Sequence, residues 1–172
     1  VGDLDFERDV LRHQYIQWQA SLQWQTARDW ARRDGVTVFG DMPFMVAAAS
    51  PDVWARQDEF LFDVSLGVPP DEFSATGQDW GLPAYAWDRI ARTDYAWMRQ
   101  RARRMAELYD GYRVDHLIGL YRTYGRPSVG DPFFSPAGEP AQIAQGEAIL
   151  RILMGGRATI IAEDLGVVPP FA

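Results

Sequence analysis

Apolar side chains recur at helical spacing through the first part of the chain. Phe6, Val10, Ile16, Trp24, Ala27 and Ala31 stand among polar neighbours, and Gly35 follows where a helix C-terminus favours a left-handed residue. One or two helices are expected between Leu4 and Asp34. The β-branched run "VTVFGD" then predicts a short strand ending at Asp41. From Met42 to about Asp88 the chain is rich in Pro, Gly, Ser and Asp and reads as a long irregular connection. Within it, Ser50 followed by Pro51 predicts one short capped helix. Thr93 is expected to cap a second long helix, in which Met98, Ala102, Met105 and Tyr109 recur at helical spacing before Gly111. "YRVDH" is a second short strand. A Pro/Gly-rich loop from Gly125 to Pro140 leads to a third helix carrying Ile149, Ile152 and Leu153, which stops at Gly155 and Gly156 before the strand "ATIIAED".

Helices alternating with short strands imply parallel strands joined by helical crossovers, hence an α/β fold. Three strands do not by their pattern separate a doubly wound sheet from a barrel. Neither GxGxxG nor GxxxxGK follows the first strand, so the phosphate-binding turn of a nucleotide fold is missing. What each strand offers instead, at its C-terminal end, is a carboxylate: Asp41, Asp115 and Glu163.

Strand side chains alternate, which places Arg113 and Asp115 on one face, Thr37, Phe39 and Asp41 on one face, and Thr159, Ile161 and Glu163 on one face, so the three strand ends are expected to converge on one pocket. A guanidinium beside Asp115 favours its charged form and keeps it available as a nucleophile. Glu163 has no basic neighbour in sequence, since its flanks are Ile160, Ile161, Ala162 and Leu165; an apolar setting of that kind is expected to raise its pKa, as a proton donor requires. Two carboxyls with opposed environments point to glycoside chemistry. The competing reading is a structural ion pair at Arg113 and Asp115 with a capping role for Glu163 and Asp164. Asp41, Asp115, His116 and Glu163 lack the ligand spacing of a metal site, so no metal or other cofactor is expected. His13 falls within the first helix and reads as structural or solvated. The stretch "GVPPDEFSATGQDWG", Gly67 to Gly81, combines two stiffening prolines with Asp71, Gln78 and the ring of Trp80; a long loop of this composition between strands reads as a lid.

Charge and composition narrow the partners. The formal net charge is −7, which disfavours nucleic acid and anionic membranes and suits a neutral ligand. Cysteine is absent, so thiolate chemistry and disulfides are excluded and a reducing cytoplasm is the expected setting. The run from Met42 to Ala49 is too short to span a bilayer. With 13% aromatic residues and seven Trp, the chain has rings both for a core and for stacking against sugars.

Four ordered segments, "GDMPFMVAAASPDVW", "GVPPDEFSATGQDWGLPAYAW", "YDGYRVDHLIGLYRTYGRP" and "IIAEDLGVVPP", resemble the 4-α-glucanotransferases (amylomaltases, disproportionating enzymes) of glycoside hydrolase family 77 in the α-amylase clan. The resemblance implies part of a (β/α)8 TIM-type barrel with long βα loops, about three β/α units forming one partial catalytic domain over residues 1–172. It implies Asp115 as nucleophile, Glu163 as general acid/base and Arg113 as the support of the nucleophile. His116, Asp41 and Asp164 would line the donor side, and Asp71, Gln78 and Trp80 the acceptor side; Trp54 is, apart from the resemblance, a candidate platform for a glucan ring. The implied reaction is retaining transfer of α-1,4-glucan segments between maltooligosaccharides without a cofactor. A hydrolase of the same clan and an inactive glucan-binding or assembly module are the alternatives. Only Val64, Ser65 and Leu66 separate "LFD" from "GVPP", fewer residues than many members have there. The third carboxylate that the family presents in a His-Asp pair has no counterpart, because Gln14 follows His13 and Leu117 follows His116. The chain is therefore expected to be the middle of a longer enzyme, with exposed barrel edges that favour self-association.

Overall fold

The computed structural model describes residues 2–72, 74–164 and 168–172; Phe73 of the expected lid and Leu165, Gly166 and Val167 of the last motif lie outside the described residues. A long helix α1 (Gly2–Arg33) opens the chain, followed by β1 (Phe39–Met42), the short helix α2 (Pro51–Ala55) and a 3-10 turn. Strands β2 (Phe60–Val68) and β3 (Gln78–Tyr85), helices α3 (Trp87–Arg92) and α4 (Ala96–Leu108), and β4 (Gly111–Val114) come next. The remainder comprises α5 (Ile118–Tyr121), β5 (Thr123–Pro127), β6 (Phe133–Ser135), α6 (Glu139–Met154) and β7 (Thr159–Ala162).

The strands sort into two sheets. β1, β4 and β7 form a parallel sheet in the order β1-β4-β7, with Asp41 opposite Arg113 and Arg113 opposite Ile161. The parallel arrangement expected from helix–strand alternation is present. One face, carrying Met42, Tyr112 and Val114, is buried in a core that also takes in Met98 and Ala102 of α4 and Ile149 and Leu153 of α6. The other face carries Phe39, Asp41, Arg113 and Ile161, and it is open: Phe39 is 43% and Ile161 51% exposed.

The second sheet corrects the sequence reading. The stretches expected to be irregular, Met42 to Asp88 and Gly125 to Pro140, contain a four-stranded antiparallel sheet in the order β3-β2-β5-β6. β2 pairs with β3 and also with β5, Val64 opposite Pro127 and Gly67 opposite Tyr124. The connections leaving β1 and β4 are thus stitched to each other. Prolines at 83 and 127 and glycines at 67 and 125 disguised these strands, and the register of β2 against β3 shifts twice, which breaks the strict alternation that marks a strand.

Local chemistry explains the element ends. The Ser50 Oγ accepts from the Val53 N–H at 3.2 Å and caps α2, with Pro51 at its first position, as expected. α1 is a single helix, closed by the Val36 N–H donating to the Ala31 carbonyl around Gly35 at φ +72°. Thr93 does not cap α4. It closes α3, its hydroxyl bonded to the Ile90 carbonyl, and Asp94 and Tyr95 turn the chain at positive φ before α4 begins at Ala96.

α1 is tethered near its C-terminus. The Trp24 indole donates to the Leu108 carbonyl at 2.8 Å, and Arg28 and Arg32 each reach Asp110 at 2.9 Å. The other oxygen of Asp110 accepts from the Val38 N–H at 3.0 Å. The Val38 N–H and then the two guanidiniums hold the Asp110 carboxyl well below the usual carboxylate range. One side chain therefore joins α1, the approach to β1 and the start of β4.

Candidate active site

Beyond the last paired residues of the parallel sheet, the ladder runs on by one step. The Asp115 N–H donates to the Met42 carbonyl and the Glu163 N–H to the Val114 carbonyl, both at 3.1 Å, so Asp115 and Glu163 emerge from adjacent strand ends toward the same side. Arg113, two residues before Asp115, lies on that face as alternation demands.

The Arg113 guanidinium gathers the carboxylates. Its Nη1 donates to both Asp41 oxygens, at 3.0 and 2.8 Å, and its Nη2 donates to Asp115 Oδ1 at 2.8 Å and Glu163 Oε1 at 2.9 Å. Three acidic residues from three strands meet one cation, and these bonds, Glu163 first, push the guanidinium pKa upward. Because both partners bond a single nitrogen at 2.8 and 2.9 Å, the Asp115 and Glu163 oxygens lie within about 5.7 Å of each other.

The other Glu163 oxygen, Oε2, accepts from the His116 N–H at 2.6 Å. That bond depends on His116 standing at φ +46°, a left-handed conformation uncommon for a residue with a side chain. The expectation for Glu163 is overturned here. Burial does push its carboxyl up, but the His116 N–H and the Arg113 guanidinium outweigh it and hold Glu163 below its ordinary pKa. The basic neighbour that is absent along the chain arrives from the next strand.

The His116 ring packs edge-on against Trp80, centroids 5.1 Å apart, and tilted against Phe44 at 5.4 Å. Burial lowers the imidazole pKa, against the weaker upward pull of Glu163 and Asp115, and so favours its neutral form. Trp80 is oriented by its own indole N–H, which donates to Gln78 Oε1 at 3.1 Å. At the tip of the β2–β3 hairpin, Asp71 Oδ1 accepts from the Ser74 N–H at 2.8 Å and the Asp71 N–H donates to the Ser74 carbonyl at 3.0 Å.

Asp71, Gln78, Trp80, Asp115, His116 and Glu163 all line one cleft of about 690 Å³, together with Pro43, Phe44, Met45, Val68 and Leu82. A cleft of that size, apolar on its walls with a few convergent polar groups, fits a small-molecule site. Asp41 joins the cluster through Arg113. Two candidates stand elsewhere: Asp164 is exposed and outside the lining, and Trp54, 75% exposed, lines a separate groove with Ala48, Ala49 and Phe62. Sequence reasoning missed the Pro43–Met45 wall. Its signal was the apolar run after the first strand; the Phe44 carbonyl is held by the buried Tyr85 hydroxyl at 2.6 Å, and Arg101 donates to the Pro43 and Phe44 carbonyls. Among the described residues no cluster of three potential metal ligands forms a metal site.

A sequence profile described as 4-alpha-glucanotransferase, glycoside hydrolase family 77, matches residues 3–172. The chain belongs to this family. The 4-alpha-glucanotransferase of Synechocystis sp. is 36% identical over 169 residues, covering 94% of this chain and 34% of the relative. The chloroplastic/amyloplastic 4-alpha-glucanotransferase of Solanum tuberosum is 39% identical over 158 residues, covering 85% and 26%. Among solved structures, amylomaltase from Streptococcus agalactiae in complex with acarbose superposes with a TM-score of 0.73 at 32% identity, over 87% of this chain and 31% of that one. Amylomaltase from Corynebacterium glutamicum gives a TM-score of 0.77 at 27% identity, over 91% and 23%. The chain thus spans about a third or less of the length of these family members, and its mixed α/β architecture is similar to theirs.

Proposed function

We propose that this chain carries the nucleophile and the acid/base of a retaining 4-α-glucanotransferase, Asp115 and Glu163 respectively. The observation that carries the reading is the sharing of Arg113 Nη2, which brings Asp115 Oδ1 and Glu163 Oε1 to within about 5.7 Å of each other. Retaining enzymes hold their two carboxyls about 5–5.5 Å apart, whereas inverting ones need roughly 6.5–9.5 Å to admit a water. Glu163 gives its proton to the departing 4-oxygen as Asp115 attacks C1 and forms a glycosyl-aspartate. Glu163 then takes the proton from the 4-hydroxyl of an incoming maltooligosaccharide, which displaces Asp115 and restores the α-linkage.

The clamped, ionised Glu163 of the unliganded cleft fits the second half of this cycle. For the first half it must carry a proton. A glucan filling the cleft removes water from around the carboxyl, which raises its pKa, and competes for the Arg113 and His116 donors. Asp41, supported by Arg113, and His116 serve the donor side. Asp71, Gln78 and Trp80 serve the acceptor side.

Residues 1–172 are, in this proposal, three β/α units of a (β/α)8 barrel. The parallel sheet packs α4 and α6 on one face and leaves the other open, as the inner face of a barrel would be, whereas a doubly wound sheet carries helices on both faces. The aspartate expected in a His-Asp pair lies outside these residues, and the open face and strand edges favour self-association. No described helix is long and apolar enough to cross a membrane. With no cysteine to protect, a cytoplasmic setting remains our proposal.

The test is incubation of the purified protein with maltotriose, reading product lengths by mass beside an Asp115→Asn control. Products both shorter and longer than maltotriose, absent in the control, support transfer. Shorter products alone would indicate hydrolysis. The same products from the control would sink the assignment of Asp115.

A further inference from the structure

A second cavity, of about 140 Å³, lies beyond the wall of the catalytic cleft. Val68, Asp71 and His116 line both spaces, so the hairpin tip is a partition with the candidate active site on one side and this cavity on the other. Its remaining walls include Pro69, Pro70, Ile118, Arg122, Tyr124 and Phe134.

Arg122 is the unusual member. Its guanidinium carbon sits 4.2 Å from the centroid of the Phe134 ring, and Phe134 packs on Tyr124 with centroids 5.2 Å apart. Among the described residues no carboxylate lies within ion-pair distance of it, and its side chain makes no hydrogen bond. Burial lowers its pKa with no opposing partner, the reverse of the situation at Arg113. An arginine stays protonated in proteins and offers five donors, so a half-buried one without a counter-charge leaves those donors to whatever enters the cavity.

The surroundings select among ligands. An anion would meet the Asp71 carboxylate on the shared wall, in a chain of net charge −7. A neutral polyol can accept hydrogen bonds from Arg122, donate to Asp71 and lay apolar ring faces on Phe134, Tyr124 and the two prolines. From this juxtaposition we infer that Arg122, Tyr124 and Phe134 form an additional sugar subsite, which takes an outlying glucosyl unit of the acceptor chain on the far side of the hairpin tip. This rests on the reading of the cleft as a glucan site, and it assigns to Arg122 the task of distinguishing longer acceptors from shorter ones.

The experiment is calorimetric titration of the wild-type protein, Arg122→Met and Arg122→Lys with glucose, maltose, maltotriose and maltotetraose, with inorganic phosphate as a separate ligand. Arg122→Met is expected to lose roughly tenfold in affinity for the longest sugars and nothing for glucose. Arg122→Lys keeps a cation over Phe134 but loses the planar fork, so it should recover only part of the loss; it also provides the comparison if Arg122→Met melts early. Equal affinities in all three proteins, or an equal loss at every length, would overturn the subsite. Phosphate binding that needs Arg122, without any length effect, would overturn it in favour of an anion site. A product ladder from maltotriose with no length effect sinks the subsite alone. A length effect without a ladder supports the subsite and lends nothing to the transferase reading.

Discussion

Arg113 Nη2 donates to Glu163 Oε1 at 2.9 Å, joining residues 50 positions apart on neighbouring parallel strands. The same nitrogen holds Asp115, so the protonation state of one candidate catalytic carboxyl and the placement of the other depend on a single side chain. Arg113→Met removes that link while keeping much of the aliphatic stem. Transfer activity is expected to fall by about 10²-fold or more, the scale seen when a charge-stabilising donor leaves an active site.

The pH profile supplies a sharper reading of the same variant. As the proposed acid, Glu163 would have to be protonated, so its lowered pKa places the expected alkaline limb of kcat/KM at low pH. Without the guanidinium, one of the groups that lower it is gone and the carboxyl pKa rises, with the His116 N–H still in place. The alkaline limb should move to higher pH in Arg113→Met; a limb that stays in place would show that Arg113 does not set the proton affinity of Glu163.

Trp80 meets His116 edge-on inside the cleft and is oriented by Gln78. Trp80→Ala removes a ring on which a sugar face can rest, and roughly a tenfold loss of maltotriose affinity is expected, equivalent to about 1.4 kcal/mol. Trp54→Ala, in its separate groove, should leave that affinity unchanged. Titration calorimetry on the two variants separates the sites.

Gly67 in β2 faces the backbone of β3 so closely that a Cβ there would fall on the Gln78 carbonyl oxygen. Gly67→Ala must therefore displace the strand that carries Gln78 and Trp80. A loss of about 1–3 kcal/mol in urea unfolding is expected, the usual cost of overpacking, together with weakened maltotriose binding. Unchanged stability would mean the hairpin yields at little cost.

Asp110 makes stability depend on acid. Its folded pKa is depressed by the Val38 N–H and by Arg28 and Arg32, while an unfolded aspartate titrates near about 3.9. The stabilisation is therefore present above about pH 4 and lost as pH falls toward the folded value. Asp110→Asn should be less stable at pH 7 by about 1–2 kcal/mol and show a flatter decline in acid. Parallel acid-unfolding curves for the two proteins would rule this tether out.

The alternation of side chains along short strands was enough, from sequence, to put Arg113 beside Asp115 and to predict that Asp41, Asp115 and Glu163 converge. It was enough because a strand's two-residue period is local and the three strands are parallel. The Ser50 cap, the Gly35 stop and the parallel sheet were legible for the same reason: each rests on neighbours in the chain or on a repeated pattern. What stayed hidden depends on partners distant in sequence. The antiparallel sheet was obscured because β2 finds β5 only after some sixty residues, across shifted registers and between glycines and prolines. The proton affinity of Glu163 went the other way from its apolar flanks because a cation and a backbone N–H reach it through space. An electrostatic environment is a three-dimensional quantity: sequence supplied the charged groups, and the tertiary fold decided which of them share a nitrogen.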